Sequence, residues 1–546
     1  MGPAAGLSTV PPNARVAVLG AGPVGQTTAL LLARWGVPTV LLDQRPERDL
    51  VGSRSICQQR DVLDIWDAVG AGERIAAEGV TWLTARTFYR DRELFAYDLP
   101  DPGHSPFPPF VNLSQARTEE ILDERIAAEP LIDLRWDHRV TGISQDSTEV
   151  ALDCATASGP RTVTADYAVA CTGARAEDIR RALGVSFPGQ SFDDLFLICD
   201  IRADLPGYAT ERRFHFDPGW NPGRQVLIHP CPGSSYRIDW QVPPGYDLAA
   251  EEAEGALDRR IRTVIGQRDY RLLWRSVYRF HERLADRMRV GRVLLAGDCA
   301  HLVAPFGARG LNSGVQDAEN AAWKLAFVLS GWAGEALLES YHAERHAAAV
   351  ENLDVTSSTM RFLVPGDETD RVRRESILDR AVSDPAAWSE VDSGRLAEPF
   401  WYAASPLTTP SAGRPSGGRP ARGATPAVAP GVLAPDVAVS VDGAPTRLRR
   451  LARAGFLLLA AGDAAAAAAD AVPVPGAPVR VLRMEQIDIT GELAAALSPE
   501  PGEVWILRPD AHIAAVLPEP TTEEIATALR RALGRVAAGK ENRHAD

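Results

Sequence analysis

The chain has 546 residues, which is more than one ordinary domain, and its 45% hydrophobic and 24% charged residues are typical of a soluble globular protein. A formal net charge of −14 excludes nucleic acid as an expected partner, because proteins that bind it present a basic surface. The sequence has no apolar run of about eighteen residues that could span a membrane, and its six cysteines have no metal-site spacing, so neither a membrane nor a metal is expected.

Residues 1–13 are rich in Ala, Gly and Pro and lack the basic region and apolar core of a signal peptide. We expect a disordered tail and a cytoplasmic protein.

A dinucleotide-binding fingerprint follows this tail. It comprises a predicted strand at 15–19, the sequence GAGPVG, a helix at 26–35 and a strand at 39–42. Gly20 allows the tight turn, Gly22 lets the backbone approach a pyrophosphate, and Gly25 allows close helix packing. Asp43 ends the second strand, where a ribose hydroxyl is bound. Since GxGxxG alone is a weak signal, the prediction depends on this strand and helix context.

The stretch 291–325 is the most informative part of the sequence. An apolar strand at 292–296 ends in Gly297-Asp298, which predicts that Asp298 faces a ligand at the carboxyl edge of a parallel sheet. After a glycine-rich turn, Ser313 and Gln316 have the spacing of a capping box, so we expect a helix to begin there. The N-terminus of this helix would point back at the ligand that Asp298 faces. Its free N–H groups and partial positive charge would favour an electron-rich group there.

This stretch resembles the second flavin motif of the FAD-dependent aromatic hydroxylases, in the pattern GD-x-x-H-x-x-x-P-x-x-G-x-G-L-N-S-G-x-Q-D-A-x-N-x-x-W-K-L. The resemblance implies that Asp298 binds the ribityl chain of FAD and that Pro305 lies beside the isoalloxazine ring. It also implies that the loop through Gly310, Leu311 and Asn312 offers N–H groups to the pyrimidine edge, where reduction places negative charge.

The same resemblance implies two contacts to the FAD diphosphate. Arg54 follows the acidic strand end, and Gln115 opens a later predicted helix. A solvated arginine and a capping glutamine are the alternative interpretations. His104, in a Pro-rich loop, is expected to be structural or exposed.

One position departs from the family pattern. After the predicted strand at 167–171 the family has Asp-Gly, a motif associated with both FAD and the nicotinamide cofactor, whereas this chain has Thr172-Gly173. Thr172 keeps a hydrogen-bonding hydroxyl but carries no charge. We therefore expect FAD binding to persist, with docking of NAD(P)H altered, weakened or carried by other residues such as Arg175.

Strand patterns dominate residues 187–279, which predicts an inserted antiparallel sheet that forms a substrate domain over the flavin. In the segment 235–242 polar and apolar side chains alternate, so one face of the strand is apolar and the other is polar. By resemblance this hairpin contacts substrate, so His229, Arg237 and Asp239 are the candidates for orienting or deprotonating a phenol. An ordinary polar outer face of the sheet is the alternative, and His215 is a weaker candidate.

The fold class is therefore α/β, with a Rossmann-like FAD-binding domain at 14–186 and 280–400, the substrate domain at 187–279, and a linker at 401–430. Residues 431–546 resemble the C-terminal thioredoxin-like domain of the larger aromatic hydroxylases. This segment has no cysteine, which excludes redox exchange and favours packing or a homodimer contact.

The resemblance implies an FAD-dependent monooxygenase in which NAD(P)H reduces the flavin, O₂ adds to give the C4a-hydroperoxide, and one oxygen atom is transferred to a phenolic or polyketide-like aromatic substrate. A base near the phenolic hydroxyl of the substrate would favour oxygen transfer by forming the phenolate. His229 and Asp239 are the candidates for this base. Two alternatives remain open: another oxygenation such as Baeyer-Villiger insertion or epoxidation, and a flavoprotein that binds an aromatic ligand without turnover.

Overall fold

The structure is a computed structural model that describes residues 14–49, 55–99, 105–418, 426–473 and 476–535. No helix in these ranges is long and apolar enough to cross a membrane. The predicted tail 1–13, Arg54 and His104 lie outside the described residues.

A six-stranded sheet forms the base of the first unit. Its spatial order is β18 (Arg289–Val290), β19 (Val293–Leu295), β12 (Tyr167–Ala170), β1 (Val16–Leu19), β2 (Thr39–Leu42) and β8 (Ile132–Arg135). All pairs are parallel except β18 with β19. The central strands are short and apolar on both faces, as helix-covered parallel strands are. The carboxyl ends of β1, β12 and β19 therefore meet at one edge.

The helices in the first 400 residues are α1 (Pro23–Arg34), α2 (Arg60–Asp67), α3 (Gly72–Glu78), α4 (Gln115–Ala127), α5 (Glu177–Ala182), α6 (Leu248–Ala253), α7 (Ala256–Ile265), α8 (Arg309–Leu329), α9 (Ala336–Leu363) and α10 (Glu368–Ala381). Helix α1 begins at Pro23, three residues before the predicted start, because proline suits the first helical turn.

Two small sheets flank the parallel sheet. One contains β9 (Arg139–Gln145), β10 (Val150–Thr156) and β11 (Gly159–Ala165); the other contains β3 (Cys57–Gln59), β4 (Val80–Thr81) and β7 (Phe110–Asn112). Residues 134–140 are divided between two sheets, because the chain turns there: Leu134 pairs with Leu41 in the parallel sheet, and Val140 pairs with Cys154 in the antiparallel one.

The predicted second sheet is present, and it is larger than the segment 187–279. Its order is β20 (His301–Leu302), β17 (Tyr270–Leu284), β13 (Gly189–Ala203), β16 (Ser235–Val242), β15 (Val226–Cys231), β14 (Glu211–Phe216), β5 (Thr84–Tyr89) and β6 (Arg92–Asp98). The early hairpin β5–β6 joins through a parallel pairing of β5 with β14. The sheet is therefore assembled from three separated parts of the chain.

The two faces of β16 differ as its alternation predicts. Tyr236, Ile238, Trp240 and Val242 pack with Leu257, Ile261 and Ile265 of α7. The opposite face carries Arg237 and Asp239, and on it Phe196, the cross-strand partner of Gln241, contacts Phe306 of the first unit. The strand alternation thus separates a helix-covered core from a polar and aromatic face.

Helix α8 begins at Arg309, four residues before the expected capping box, so that prediction is wrong. Ala308 precedes it in a left-handed conformation with φ 58°. The Ser313 hydroxyl instead accepts hydrogen bonds from Arg345 Nη2 at 3.2 Å and Asn352 Nδ2 at 3.3 Å. Tertiary contacts therefore occupy the side chain that the sequence assigned to a cap.

A third unit follows residue 430. Its main sheet runs β24 (Val479–Arg483), β23 (Phe456–Ala460), β25 (Val504–Leu507) and β26 (Ile513–Leu517), with β23 and β24 parallel and the other pairs antiparallel. The remaining elements are the hairpin β21 (Ala438–Val441) and β22 (Ala444–Arg447), and the helices α11 (Leu448–Ala452), α12 (Asp463–Asp470), α13 (Met484–Ile487), α14 (Glu492–Leu497) and α15 (Thr522–Ala532). Much of the predicted linker is packed rather than free, since Tyr402 and Leu407 are buried.

A buried group of charges joins the third unit to the first. Glu344 of α9 accepts hydrogen bonds from Lys324 Nζ at 2.6 Å and from both terminal nitrogens of Arg508, at 2.5 and 2.9 Å. Arg508 also pairs with Asp510, which accepts a hydrogen bond from Trp323 Nε1. All of these side chains are almost completely buried. The third unit is thus fixed to α8 and α9 by ion pairs as well as by apolar packing.

Replacing Glu344 by Gln should lower the free energy of unfolding by about 3–5 kcal/mol, because it leaves Lys324 and Arg508 buried with too little negative charge. Urea unfolding followed by tryptophan fluorescence measures the change. The control is Glu523→Gln, which removes an exposed partner of Arg530 and should cost no more than about 1 kcal/mol. Equal effects of the two substitutions would contradict the structural role given to the buried group.

Candidate functional site

The first part of the site lies where β1 meets α1. Gly20 has φ 98°, and a side chain at Gly25 would collide with the Gly20 carbonyl, 1.8 Å from the added Cβ. At Gly22, by contrast, an added Cβ would meet no heavy atom within 4 Å among the described residues. No side chain caps α1 within the described part of the chain. The loop therefore leaves backbone and free helix N–H groups open to a phosphate, as the fingerprint predicts.

Asp43 stands at the end of β2 beside this loop. Its carboxylate accepts hydrogen bonds from the backbone N–H of Ala21 at 2.7 Å and of Arg45 at 2.9 Å, and from the Arg45 guanidinium. Burial alone would raise the pKa of Asp43, but the hydrogen bonds from Arg45 and Ala21 outweigh it and lower the pKa. The carboxylate is therefore ionised and held beside the glycine loop.

Arg48 is a member of this region that the sequence did not single out. Its guanidinium donates to the Ala21 carbonyl at 2.6 Å and pairs with Glu119 and Asp123 of α4. Gln115 lies next to it, because its Nε2 donates to Glu119 Oε1 at 2.8 Å, while Ser114 is the actual cap of α4. Gln115 is thus placed beside the loop, and the capping alternative is wrong for this residue.

The second part of the site follows β19. The turn Gly297–Cys299 is a short 3-10 helix on which Asp298 is exposed. The Gly297 N–H donates to Asp317 Oδ2 at 2.9 Å, and this carboxylate also accepts from His301 Nε2 at 2.7 Å and Arg345 Nε at 2.7 Å. Burial raises the pKa of Asp317, but His301 and Arg345 outweigh it and lower the pKa to about 2. The charged carboxylate therefore fixes the turn that presents Asp298.

The N-terminus of α8 faces the same edge. Gly310 and Leu311 lie half-buried in its first turn, which no described side chain caps. The Asn312 side chain accepts from the Gln59 N–H at 3.0 Å and donates to the Cys57 carbonyl at 3.0 Å. Asn312 thereby ties β3 to α8, so its side chain has a structural role that the sequence did not predict.

Pro305 is exposed at the start of the loop before α8, and the next residue reaches the second sheet. The Phe306 ring lies 5.5 Å from Phe196, 6.3 Å from Phe214 and 5.9 Å from Phe280. These contacts place the Pro305 turn against the aromatic face of the sheet. A planar group beside Pro305 would therefore have aromatic side chains close to it.

The three predicted substrate residues share this face of the sheet. His229 and Arg237 are cross-strand partners, and Asp239 lies two residues further along β16. Arg237 is 3% exposed and forms a two-pronged ion pair with Asp200 at 2.8 and 2.9 Å. Arg237 is therefore not part of a polar outer surface of the sheet.

His229 and Asp239 carry unsatisfied atoms. His229 Nδ1 and Asp239 Oδ1 are buried and have no hydrogen-bond partner among the described residues. Burial, assisted by Arg212 and Arg237, lowers the pKa of His229 well below its usual value, so the imidazole is neutral at pH 7. Burial raises the pKa of Asp239 to about 7, against the opposing effect of Arg237. A buried donor or acceptor without a partner indicates a position for a ligand group.

His215 does not belong to this group. It pairs with Val226, a member of the core cluster on the helix-covered face, and its ring stacks on Phe88 at 4.5 Å. Burial lowers the pKa of His215 to about 4.

Thr172 lies at the edge between the two parts of the site. Its hydroxyl donates to Cys299 Sγ at 3.7 Å, while Arg175 is exposed. The buried Arg180 donates to the carbonyls of Cys299 at 3.1 Å and Ala174 at 3.3 Å. The loop after β12 is therefore joined to the Gly297 turn. Within the described ranges, no group of three or more His, Cys, Asp or Glu side chains could hold a metal.

Two family models match the chain. Residues 13–356 match the FAD binding domain, and residues 427–536 match the C-terminal region of aromatic-ring hydroxylases. A 3-(3-hydroxy-phenyl)propionate/3-hydroxycinnamic acid hydroxylase of Mycobacterium sp. (strain KMS) is 30% identical over 368 residues, which are 66% of this chain and 62% of the relative. A hydroxylase of the same name from Klebsiella pneumoniae (strain 342) is 34% identical over 352 residues, 63% of this chain and 62% of the relative.

The match therefore spans about three fifths of the length of these relatives. Among solved structures, the flavin-dependent monooxygenase PieE has a TM-score of 0.84 at 23% identity, and aklavinone-11 hydroxylase has 0.77 at 24% identity. Each of the two structures matches 96% of this chain and 99% of its own chain. At such low sequence identity, the match shows that this chain shares their fold. Together with the two family models, these findings establish that the chain belongs to the FAD-dependent aromatic-ring hydroxylases, with FAD as the family's cofactor.

Proposed function

We propose that the protein is a monooxygenase that uses FAD, NAD(P)H and O₂ to hydroxylate a phenolic or polyketide-like aromatic substrate. Family membership and the names of the relatives and structural neighbours support this class of reaction. The observation that carries the proposal is the pair of unpartnered buried atoms, His229 Nδ1 and Asp239 Oδ1, on the aromatic face beside the Pro305 turn, unpartnered among the described residues.

The residues present fit FAD in two groups. The open backbone at Gly22, the uncapped α1 and the ionised Asp43 suit the diphosphate and ribose of the adenosine half, with Gly20, Gly25, Gln115 and the predicted Arg54 completing that group. For the ring half we assign Asp298 to the ribityl chain and the first turn of α8, at Gly310, Leu311 and Asn312, to the pyrimidine edge.

FAD supplies the oxygen-transfer chemistry when it is bound, and the protein positions the ring and excludes water. We assign to Asp239 the acceptance of the phenolic proton, because a pKa of about 7 matches a general base at neutral pH. His229, which is neutral, receives or donates a hydrogen bond at the same hydroxyl. Arg237, held by Asp200, keeps positive charge next to the developing phenolate.

A second candidate is a flavoprotein that binds an aromatic ligand without turnover, and Thr172 favours it because the family's acidic residue is missing there. Anaerobic stopped-flow reduction separates the two. The holoprotein is mixed with NADH or NADPH, with and without a panel of phenols, while flavin absorbance is followed. Rapid reduction accelerated by one phenol class supports the hydroxylase. Retention of oxidised flavin under every condition would reject NAD(P)H-dependent hydroxylation.

We also propose that the third unit is thioredoxin-like and serves in packing or in a homodimer contact. The strand order β24-β23-β25-β26, with β23 and β24 parallel and two antiparallel pairs beside them, supports the assignment. The domain division at 14–186 with 280–400, 187–279 and 431–546 remains the proposed one, with β5 and β6 added to the substrate sheet.

Asp43→Asn should weaken FAD binding by about 10- to 100-fold, because hydrogen bonds to a charged acceptor contribute about 1.5–3 kcal/mol. Fluorescence of released flavin during dialysis measures the loss. The control is Asp133→Asn on the neighbouring strand β8, whose carboxylate pairs with Arg135 away from the loop. Wild-type flavin retention in Asp43→Asn would contradict its place in the site.

Asp239→Asn should lower kcat/KM by about 10²–10⁴-fold and remove the dependence on a group with a pKa near 7. In the wild type, activity should rise with pH as Asp239 loses its proton, since only the carboxylate accepts a proton from the phenol. Steady-state rates across the neutral pH range measure this profile, with the exposed Asp193→Asn of β13 as the control. An unchanged profile in Asp239→Asn would assign the base elsewhere.

A further inference from the structure

One end of the aromatic face carries two polar side chains that the proposed chemistry does not use. Phe216 ends β14, and His215 pairs with Val226 while the Asp217 N–H donates to the Arg224 carbonyl at 3.2 Å. Gln225 is therefore directly opposite Phe216. Since Leu227, two residues along, packs with Phe214 and Phe216, Gln225 lies on the same face.

Gln225 is 1% exposed, and neither its amide nitrogen nor its amide oxygen has a hydrogen-bond partner in the described part of the chain. A buried amide with both ends unsatisfied is costly.

Arg374 of α10 lies over the same ring. It is 7% exposed, and its guanidinium carbon is 5.7 Å from the centroid of Phe216. Nε and Nη2 are buried and have no hydrogen-bond partner among the described residues. Burial lowers the pKa of Arg374, and the charges of Asp217, Tyr89 and Glu375 oppose that shift only in part. A guanidinium stays charged in a protein, so this is a buried cation with two free donors.

Three carboxylates of this region have hydrogen-bond or ion-pair partners other than Arg374. Asp379 accepts from the Tyr89 hydroxyl at 3.1 Å, Glu375 pairs with Arg371 at 2.7 Å, and Asp217 pairs with Arg90. A buried cation is expected to have a counter-charge. Because no described carboxylate accepts a hydrogen bond from Nε or Nη2, these two donors point to an anion that comes with a ligand.

The distance from Arg374 to the proposed reaction centre follows from the strand residues that lie between them. Phe214 contacts Phe306, which follows Pro305, and Phe216 lies two residues further along β14. Two residues of a strand span about 7 Å. An anionic group at Arg374 would thus be about one aromatic ring away from a ring held beside the Pro305 turn.

We propose that Arg374 and Gln225 form a carboxylate-binding subsite of the substrate pocket, and that the substrate is an aromatic acid. The guanidinium donates to the carboxylate in the forked geometry that suits it, Gln225 Nε2 donates a further hydrogen bond, and Phe216 forms the floor. This inference rests on the proposed function, since it assigns the substrate to the aromatic face.

The test is a binding experiment on the FAD-loaded protein that needs no turnover. Perturbation of the flavin absorbance spectrum is titrated with aromatic carboxylic acids of one, two and three rings, including 3-(3-hydroxyphenyl)propionate, and with the primary amide of each. The variants are Arg374→Met and the control Arg373→Met, an exposed arginine on the same helix. Thermal melting of each ligand-free protein is measured in parallel.

The wild type and Arg373→Met should bind at least one acid about 10-fold or more tightly than its amide, and Arg374→Met should bind the two equally. Because Arg374→Met removes an unpaired buried cation, its ligand-free melting temperature should rise. Equal affinity for every acid and its amide in the wild type would overturn the proposal. A preference for the acid that persists in Arg374→Met would also overturn the proposal. In that case the guanidinium of the wild type would have only internal water as its partner.

If Arg374→Met does not fold, the same titrations on Arg374→Lys and Gln225→Leu test the subsite. Each should reduce the preference for the acid several-fold, and full retention in both would overturn the subsite. Failure of the proposed function has a different signature. In that case the acid preference would be measurable while no nicotinamide nucleotide reduces the flavin.

Discussion

The carboxylate of Asp317 is the group on which the geometry of the proposed FAD site most depends. It holds the Gly297 turn through a backbone N–H, His301 through an imidazole and α9 through Arg345, and all three partners are buried. Because Asp317 lies on α8, this helix is tied to the turn that presents Asp298. The two elements that we propose to hold the ring half of FAD are therefore kept at a fixed separation.

This network continues into the third unit. Arg345 Nη1 donates to the Tyr402 hydroxyl at 2.9 Å, and the adjacent Glu344 binds Arg508. Neighbouring residues of α9 thus connect the Gly297 turn on one side and the C-terminal sheet on the other. Separating such buried charges from their partners is costly, so the set favours one arrangement of α8, α9 and the third unit. The third unit therefore has a structural link to the proposed cofactor site, although residues 431–546 contain no cysteine.

The sequence was sufficient to predict local backbone features, but it did not predict which side chains would contact each other across the fold. Gly20, Gly22, Gly25 and Asp43 could be placed because their functions depend on a short backbone context. The start of α8 could not, because Ser313 follows a capping pattern but is engaged by Arg345, a residue 32 positions away.

The same limit applies to the substrate face. Alternation along β16 separated Arg237 and Asp239 from Trp240, yet it could not tell a solvent-facing polar strand from a buried one. Arg48, Arg374 and Gln225 gave no signal at all, since nothing in an isolated arginine or glutamine shows that tertiary structure will bury it. The charges within α8 show the same limit: Asp317 and Lys324 are buried, and their partners Arg345 and Glu344 lie on α9.

The construction of the eight-stranded sheet has a consequence for how the chain reaches its native state. Strand β5 pairs with β14 more than a hundred residues later, and the edge strand β20 follows β17 only after the chain has returned to the parallel sheet. During synthesis the hairpin β5–β6 must wait, with an unpaired edge, until the later strands emerge. Such long-range pairing folds slowly and leaves strand edges exposed to aggregation. Yield of this protein should therefore be governed by the time between emergence of β5 and completion of β14.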